Sequence, residues 1–267
     1  MGMSFITELQ RRSLARLPKE IESIVCEHKA VQPWLTQLLD RSHYSLTSGG
    51  KYVRSVLVFS AAQAIEPDLP LAHQDHPAWA VEMLHTYSLI HDDLPAMDDD
   101  DMRLGKTSLH IAFDEGSAIL VGDGLQARAF ELLADARGLT AEQKIRMVKV
   151  LAQAAGMEGM VGGQYIDIQA TGTDMTLEEL QAMHSMKTGA LIRASLALGG
   201  IAANATEEQL AALDEYGTHI GLAFQVADDI LDVEGDSATL GKTQGKDAEA
   251  NKPTYVKLMG LEGAKAE

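Results

Sequence analysis

One acidic stretch contains side chains that could bind a metal ion. Six aspartates lie within ten residues of one another in the segment HDDLPAMDDDD, from Asp92 to Asp101. An apolar run, WAVEMLHTYSLIH, overlaps its start and is typical of a buried helix. Neighbouring carboxylates repel one another by about 1 kcal/mol per pair at 4 Å in water. The cluster is therefore either a solvated acidic loop, which is the commoner case, or a site for a hard cation.

A second acidic group strengthens the metal hypothesis. Asp228 and Asp232 are four residues apart in FQVADDILD, so on a helix they share one face, with Asp229 beside them. Oxygen ligands without cysteine suit Mg²⁺, which keeps several waters and is usually completed by substrate phosphates. If the two acidic segments face each other, they could hold several Mg²⁺ ions with a diphosphate between them.

Length and composition favour one helical domain. The 267 residues contain no Pro- or Ser-rich linker, so residues 1–267 are predicted to form a single domain. Ala, Leu, Met, Glu and Gln dominate and β-branched runs are short, which favours an all-α fold. A formal net charge of −17 argues against nucleic acid or an anionic membrane surface as a partner.

Cysteine usage and hydropathy indicate a cytoplasmic protein. Cys26 is the only cysteine, so no disulfide can form within the chain and a reducing compartment fits. No apolar stretch reaches transmembrane length, and the N-terminal residues resemble an amphipathic helix rather than a signal peptide. We therefore expect a cytoplasmic location without stable membrane insertion.

Capping signals predict the later helices. Thr140, Thr176 and Thr206 are each followed three residues later by Gln or Glu, which is the pattern of a capping box. The predicted helices cover residues 141–169, 177–198 and 207–233. The first of them contains MEGMVGGQYIDI, whose glycines indicate a kink or close helix packing.

A further helix is predicted to lead into the first acidic cluster. It should run from Ala78 to about Leu94, after a Pro-rich loop over 66–77 whose two histidines would be solvated. Pro95 should end this helix, so that Asp98 can turn back toward Asp92. The two acidic helices would then lie side by side in an antiparallel bundle with a central cavity.

Several motifs together resemble those of a known family. The quoted acidic motifs, GGK at Gly49–Lys51, KTGALIRA at Lys187–Ala194 and GKTQGKD at Gly241–Asp247 are similar to those of the trans-isoprenyl diphosphate synthases. Within that family, the chain most resembles bacterial farnesyl diphosphate synthases, over about Ser48 to Tyr255. The resemblance implies the all-α isoprenoid synthase fold. It also implies a Mg²⁺-dependent prenyl transferase that condenses isopentenyl diphosphate with an allylic diphosphate.

The resemblance assigns roles to the acidic residues. About three Mg²⁺ ions per site, with Mn²⁺ as a possible substitute, would be bound when diphosphate is present. The implied metal ligands are Asp92, Asp93, Asp98, Asp228, Asp229 and Asp232. The remaining aspartates, Asp99 to Asp101, are expected to be solvated or to support the ligands.

The resemblance also assigns the substrate contacts. Arg103, Lys187 and Lys242 would bind the allylic diphosphate, and the oxygens of Thr188 and Gln225 would stabilise the cation formed from it. The isopentenyl diphosphate pocket would contain Gly50, Lys51, Arg54 and His85, while Gln164 and Phe224 would line the cavity. Without the resemblance, Lys187 and Lys242 would be interpreted as surface lysines and Thr188 and Gln225 as a buried polar pair. His85 would be interpreted as a hydrogen-bonded core histidine.

The resemblance implies that product length depends on the size of the side chains just before the first acidic pair, Asp92 and Asp93. Tyr87 and Ser88 precede Asp92 by about one and a half helical turns. Tyr87 therefore forms either the floor of a cavity for a farnesyl chain or an ordinary part of the core, and both interpretations are kept.

The chain departs from the family pattern at several positions. Tyr52 and Leu104 stand where arginines are usual, Ser55 replaces a proline, and Thr107-Ser108 replaces Pro-Thr. A hydrogen bond to a charged group contributes about 1.5–3 kcal/mol, so Leu104 could weaken the isopentenyl diphosphate site by about one to two orders of magnitude. The sequence also stops soon after Tyr255, before the C-terminal helix and basic tail expected for the family.

Farnesyl diphosphate synthesis is the first functional hypothesis, and a homodimer is expected by resemblance. The alternatives are a geranyl or geranylgeranyl diphosphate synthase, or a weakly active homologue that serves as a regulatory subunit. A metal-dependent terpene cyclase is the third class, but it would need no pocket like that of Lys51, Arg54 and His85.

Overall fold

α-Helices form nearly all of the regular structure in the computed structural model, which describes residues 2–24, 29–234 and 253–266. They are α1 (Gly2–Arg16), α2 (Lys19–Glu22), α3 (Gln32–Leu46), α4 (Val53–Ile65), α5 (Leu71–Asp92), α6 (Leu109–Ala112), α7 (Glu115–Ala134), α8 (Ala141–Ala155), α9 (Met160–Ala170), α10 (Leu177–His184), α11 (Ala190–Ala202), α12 (Glu207–Glu234) and α13 (Tyr255–Ala266). A 3₁₀ turn (Lys29–Val31) precedes α3, and a π-helical segment (Ser185–Gly189) joins α10 to α11. The predicted all-α class is confirmed.

Helix α5 lies at the centre of the bundle, in contact with α4, α7 and α11. Residues 74–84 are buried on every face, as expected for a helix surrounded by other helices. The helix begins at Leu71 rather than at Ala78, with Pro77 inside it, because core packing outweighs the missing backbone hydrogen bond. The prediction of a loop over 66–77 is therefore wrong for its second half, and His76 is buried beside Trp79 rather than solvated.

The capping predictions are confirmed, but one predicted helix is divided, and the predicted helix over 177–198 contains the π-helical segment between α10 and α11. Reciprocal hydrogen bonds form at Thr140, Thr176 and Thr206. The predicted helix over 141–169 is interrupted between α8 and α9. A Cβ on Gly159 would lie only 2.1 Å from the carbonyl oxygen of Ala154, so this break requires glycine. The glycines that indicated a kink therefore mark a complete break.

A short hairpin follows the first acidic cluster. Strands β1 (Met102–Arg103) and β2 (Lys106–Thr107) pair antiparallel. The two central residues of the turn, Leu104 and Gly105, have φ values of 53° and 78°. Positive φ at both positions is the signature of the type I′ turn, so Leu104 stands at the tip of the hairpin.

The last described helical segment, α13, is kinked at Gly260 (φ 73°, ψ 163°) and packs against the end of α12. Its first residue, Tyr255, belongs to a small apolar cluster with Leu180, Met183, Val226 and Ala264. This cluster joins α10, α12 and α13, and it lies apart from the main core around α5.

Candidate active site

The first acidic cluster begins where α5 ends. The chain turns back after Pro95, and the backbone N–H of Asp98 donates to the carbonyl oxygen of Asp92 at 2.9 Å. The N–H of Asp100 likewise donates to the carbonyl oxygen of Asp93 at 3.1 Å. The predicted reversal is confirmed, and it brings the two halves of the acidic stretch together.

Arg103 neutralises part of this negative charge. Its Nε donates to Oδ1 of Asp93 at 2.8 Å, its Nη2 contacts the same oxygen, and Nη2 lies 3.3 Å from Oδ2 of Asp100. Burial pushes the pKa of Asp93 above its usual value, and the ion pair with Arg103 opposes this effect. Asp93 is thus held by a protein cation on the hairpin.

Helix α9 connects the first acidic cluster to the π-helical segment. Gln164 donates from Nε2 to Oδ1 of Asp92. Three residues later, Asp167 accepts from Nζ of Lys187 at 2.6 Å. A Cβ on Gly163 would lie 2.3 Å from the backbone nitrogen of Lys187, so this glycine permits the close approach of the two segments. The π-helical turn, a type often found at functional sites, places Lys187 at this contact.

The second acidic group lies near the end of α12. Asp228 is half-buried, whereas Asp229 and Asp232 are buried. Oδ2 of Asp229 accepts from the backbone N–H of Tyr255 at 2.7 Å. The buried Oδ1 of Asp232 has no hydrogen-bond partner among the described residues.

A cavity of about 650 Å³ lies between α4, α5, the hairpin and α12. Eight of the predicted site residues line it: Gly50, Lys51, Arg54, His85, Asp93, Arg103, Phe224 and Asp228. Other predicted residues within the described ranges are not part of its lining: Asp92, Asp98, Gln164, Lys187, Thr188, Gln225, Asp229 and Asp232. Lys242 and its motif Gly241–Asp247 lie outside the residues that the structure describes.

A buried carboxylate that the sequence analysis missed supports the basic side of the cavity. Oε1 of Glu82 accepts from the backbone N–H of Ser55 at 2.8 Å. Burial raises the pKa of Glu82 and lowers that of Arg54, although each opposes the other's shift by charge attraction. A lone glutamate within the apolar run of α5 was the available signal, since a buried charge needs a partner.

His85 lies three residues after Glu82, on the same face of α5. Burial lowers its pKa well below the usual value, and the nearby Arg54 and Arg103 lower it further. His85 is therefore a neutral imidazole at pH 7, so that it offers one hydrogen-bond donor and one acceptor to the cavity.

The two residues that stand where arginines are usual, Tyr52 and Leu104, lie on the wall of this cavity. Leu104 is 45% exposed, and its Cδ1 would lie 3.5 Å from a Cβ built on Gly50. Tyr52 is buried with φ of 47°, and its hydroxyl donates to the carbonyl oxygen of Leu46 at 3.0 Å. Burial raises the pKa of Tyr52 to about 12, so it stays neutral. An apolar and a neutral side chain therefore stand among Lys51, Arg54 and Arg103.

Tyr87 lies on the face of α5 that packs into the core. Its side chain is buried, and its ring packs edge-on against His91 with the centroids 5.5 Å apart. Ser88 donates to the carbonyl oxygen of His85 at 2.8 Å. Neither residue lines the described cavity, so the two interpretations of Tyr87 still depend on product analysis.

Within the described ranges, no group of three His, Cys, Asp or Glu side chains lies close enough together to bind one ion. The acidic pairs instead contact protein groups, since Asp93 pairs with Arg103 and Asp229 with the N–H of Tyr255.

Solved structures define the class of this fold. A geranyltransferase from Legionella pneumophila superposes with a TM-score of 0.84 at 38% identity, covering 100% of this chain and 86% of the other. A geranyltransferase from Helicobacter pylori, solved with magnesium and isoprenyl diphosphate, has a TM-score of 0.83 at 33% identity and covers 97% and 85%. The fold is that of the all-α isoprenyl synthases.

Sequence comparison gives the family. The family model described as Polyprenyl synthetase matches residues 32–267. A farnesyl diphosphate synthase of Haemophilus influenzae is 44% identical over 263 residues, which covers 98% of this chain and 87% of that protein. The chain belongs to the polyprenyl synthetase family.

Proposed function

We propose that this chain is a Mg²⁺-dependent prenyl transferase that makes farnesyl diphosphate. It would condense isopentenyl diphosphate with dimethylallyl or geranyl diphosphate, as part of isoprenoid biosynthesis. The observation that carries the proposal is that Asp93 and Asp228, from the two acidic groups, line one cavity with Lys51, Arg54 and Arg103. Such a cavity suits two diphosphates, and bacterial relatives across most of the chain are farnesyl diphosphate synthases.

The donor set fits a hard divalent cation. All the acidic groups supply carboxylate oxygens, and the partnerless buried Oδ1 of Asp232 is an oxygen that a cation would satisfy. We assign Asp92, Asp98, Asp228 and Asp232 to about three Mg²⁺ ions per site, with Mn²⁺ as a substitute. The other two predicted ligands, Asp93 and Asp229, contact the cation of Arg103 and the N–H of Tyr255, whereas Asp92 accepts from the neutral amide of Gln164. When bound, the cations would neutralise charge on the departing diphosphate.

Basic side chains would bind and orient the allylic diphosphate. Arg103 and Lys187 are the described candidates, and Lys242 is proposed from its motif. Arg103 is held by Asp93 and Lys187 by Asp167, so both cations are fixed in position before substrate arrives. Thr188 and Gln225 would stabilise the allylic cation with their side-chain oxygens.

A second group would bind isopentenyl diphosphate. Lys51 is exposed at the rim of the cavity, while the buried Nε of Arg54 has no hydrogen-bond partner among the described residues. Together with neutral His85 and the backbone at Gly50, they would hold the diphosphate while its double bond attacks the allylic carbon. The allylic carbon–oxygen bond would break first and release diphosphate, and the isopentenyl double bond would then form a carbon–carbon bond to the allylic cation. The isopentenyl unit would finally lose a proton, for which the released diphosphate is the available base. Phe224 lines the cavity beside Asp228.

We also propose that residues 1–267 act as one domain in a cytoplasmic homodimer. None of the described helices is long and apolar enough to cross a membrane. Around α6 and the start of α7, four large apolar side chains are 43–58% exposed: Ile111, Phe113, Ile119 and Leu120. Such a patch suits a second copy of the chain. Light scattering of the protein and of Leu120→Asp tests this, and a monomeric wild type at micromolar concentration would refute it.

The experiment that tests the function is a product assay. Labelled isopentenyl diphosphate, Mg²⁺ and, in turn, dimethylallyl, geranyl or farnesyl diphosphate are incubated with the chain. We expect a fifteen-carbon product from the first two and none when EDTA replaces Mg²⁺. The proposal is wrong if no prenyl product forms, and a hydrocarbon released from farnesyl diphosphate alone would indicate a cyclase instead.

A further inference from the structure

The two adjacent aspartates of the second acidic group point in different directions. Successive residues of an α-helix are rotated by about 100°, so neighbouring side chains cannot share one direction. Asp228 is half-buried and lines the cavity. Asp229 is 6% exposed, and its carboxylate contacts α13 instead.

The contact of Asp229 occurs at the first residue of α13. The N–H groups in the first turn of a helix have no partner within the helix, so they need acceptors from elsewhere. Oδ2 of Asp229 accepts from the N–H of Tyr255, which lies 26 residues later in the chain. Asp229 thus provides α13 with a charged cap that comes from another helix.

The residue that Asp229 holds connects α13 to the rest of the site. Tyr255 is completely buried, and its ring lies 5.4 Å from that of His184. His184 is close enough to Asp167, Lys187 and Asp228 to interact with each electrostatically. At the exposed end of α12, Lys265 of α13 also pairs with Glu234 at 2.7 Å. The parts of α13 before and after Gly260 therefore each contact α12, and the buried contact lies next to Asp228.

We infer that Asp229 is a positioning residue that anchors α13 beside the site, whereas Asp228 keeps the metal role already proposed for it. The metal part of this inference rests on the proposed function, whereas the anchoring part rests on the contact with Tyr255 alone. In the first acidic group, Asp93 contacts the hairpin through Arg103 and also lines the cavity, so that group does not show the same division.

Three single variants separate the two roles. Asp229→Asn keeps an oxygen that can accept from Tyr255 but removes the charge, whereas Asp229→Ala removes the acceptor. Asp228→Asn is the matched control, because it removes the same charge from the adjacent residue. Each is measured for thermal stability in EDTA, for amide exchange of residues 253–266, and for binding of inorganic diphosphate in the presence of Mg²⁺.

The expected results differ between the variants. Asp229→Ala should lower Tm in EDTA by about 3–8 °C and speed exchange of residues 253–266 about tenfold or more. It should also weaken Mg²⁺-dependent diphosphate binding. Asp229→Asn should stay close to the wild type in Tm, in amide exchange and in diphosphate binding. Asp228→Asn should leave Tm and exchange unchanged while weakening that binding by about tenfold or more.

The inference is overturned if Asp229→Asn weakens diphosphate binding as strongly as Asp228→Asn does. It is also overturned if Asp229→Ala leaves Tm and exchange unchanged in EDTA. If the wild type binds no diphosphate with Mg²⁺, the proposed function fails, but the two EDTA measurements still decide whether Asp229 anchors α13.

Discussion

Nζ of Lys187 lies 2.6 Å from Oδ2 of Asp167, a carboxylate that is 7% exposed. Lys187 is one of the residues proposed to bind the allylic diphosphate, while Asp167 has no such role. Asp167 shares α9 with Gln164, which contacts Asp92. One helix therefore sets the positions of both a cation and an acidic residue of the site.

Asp167→Asn tests whether this contact positions Lys187. Losing a hydrogen bond to a charged group costs about 1.5–3 kcal/mol, so kcat/KM for the allylic substrate should fall about 10- to 100-fold. Steady-state kinetics with each substrate varied would measure the loss. The matched control is Asp214→Asn, which breaks the exposed pair with Arg193 (also 2.6 Å) and should cost less than about 1 kcal/mol of stability. Equal activity of the two variants would contradict the assignment.

Leu104→Arg should improve use of isopentenyl diphosphate. The side chain stands at the tip of the hairpin and lines the cavity beside Gly50. A charged hydrogen bond gained there should lower the KM for isopentenyl diphosphate about 10- to 100-fold, with little change for the allylic substrate. Met102→Arg adds the same charge to the same hairpin away from the cavity and serves as the control. If both variants lower this KM equally, only the general field of the added charge is responsible.

Tyr87→Ala should lengthen the product. Removing a buried aromatic ring one and a half turns before Asp92 leaves space below the acidic cluster, so we expect twenty-carbon or longer chains. Chromatography of the dephosphorylated products would identify them. Phe59→Ala removes a completely buried ring on α4, and should cost about 3–5 kcal/mol of stability without changing the product. An unchanged fifteen-carbon product from Tyr87→Ala would mean that Tyr87 only packs in the core.

His184 should make the fold less stable in acid. Burial is the largest cause that lowers its pKa from 6.5 to about 4, with Lys187 adding to the shift and Asp167 and Asp228 opposing it. Between these values the unfolded chain binds the proton and the folded chain does not, so stability falls as pH drops through this window. Below pH 4, the free energy of unfolding should have fallen by about 3 kcal/mol because of this residue.

Denaturant titrations of metal-free protein from pH 7 to pH 4 would measure this contribution. His184→Gln should reduce the dependence of unfolding free energy on pH. His219→Gln, at an exposed position of α12, should leave that dependence unchanged. The prediction fails if the two variants have the same pH profile.

The sequence alone determined the helical class, most helix starts and the two acidic groups. These depend on local chemistry, since a capping box such as Thr140 with Gln143 needs only residues of one turn. The turn after Pro95 was predictable for the same reason, because proline blocks helix continuation wherever it stands outside a dense core. Pro77 shows the limit, because the surrounding core keeps it helical.

Only the tertiary structure decided which partners the site residues contact. Asp167 and Lys187 are 20 residues apart, Asp229 and Tyr255 are 26 apart, and Ser55 and Glu82 are 27 apart. No local pattern encodes such pairs, because each depends on how two helices pack. The same holds for Leu104, whose type I′ turn is set by the pairing of β1 with β2 rather than by its own preference for positive φ. The residue types therefore determined the chemistry that this chain offers, and packing determined which carboxylate faces the cavity and which holds a neighbouring segment.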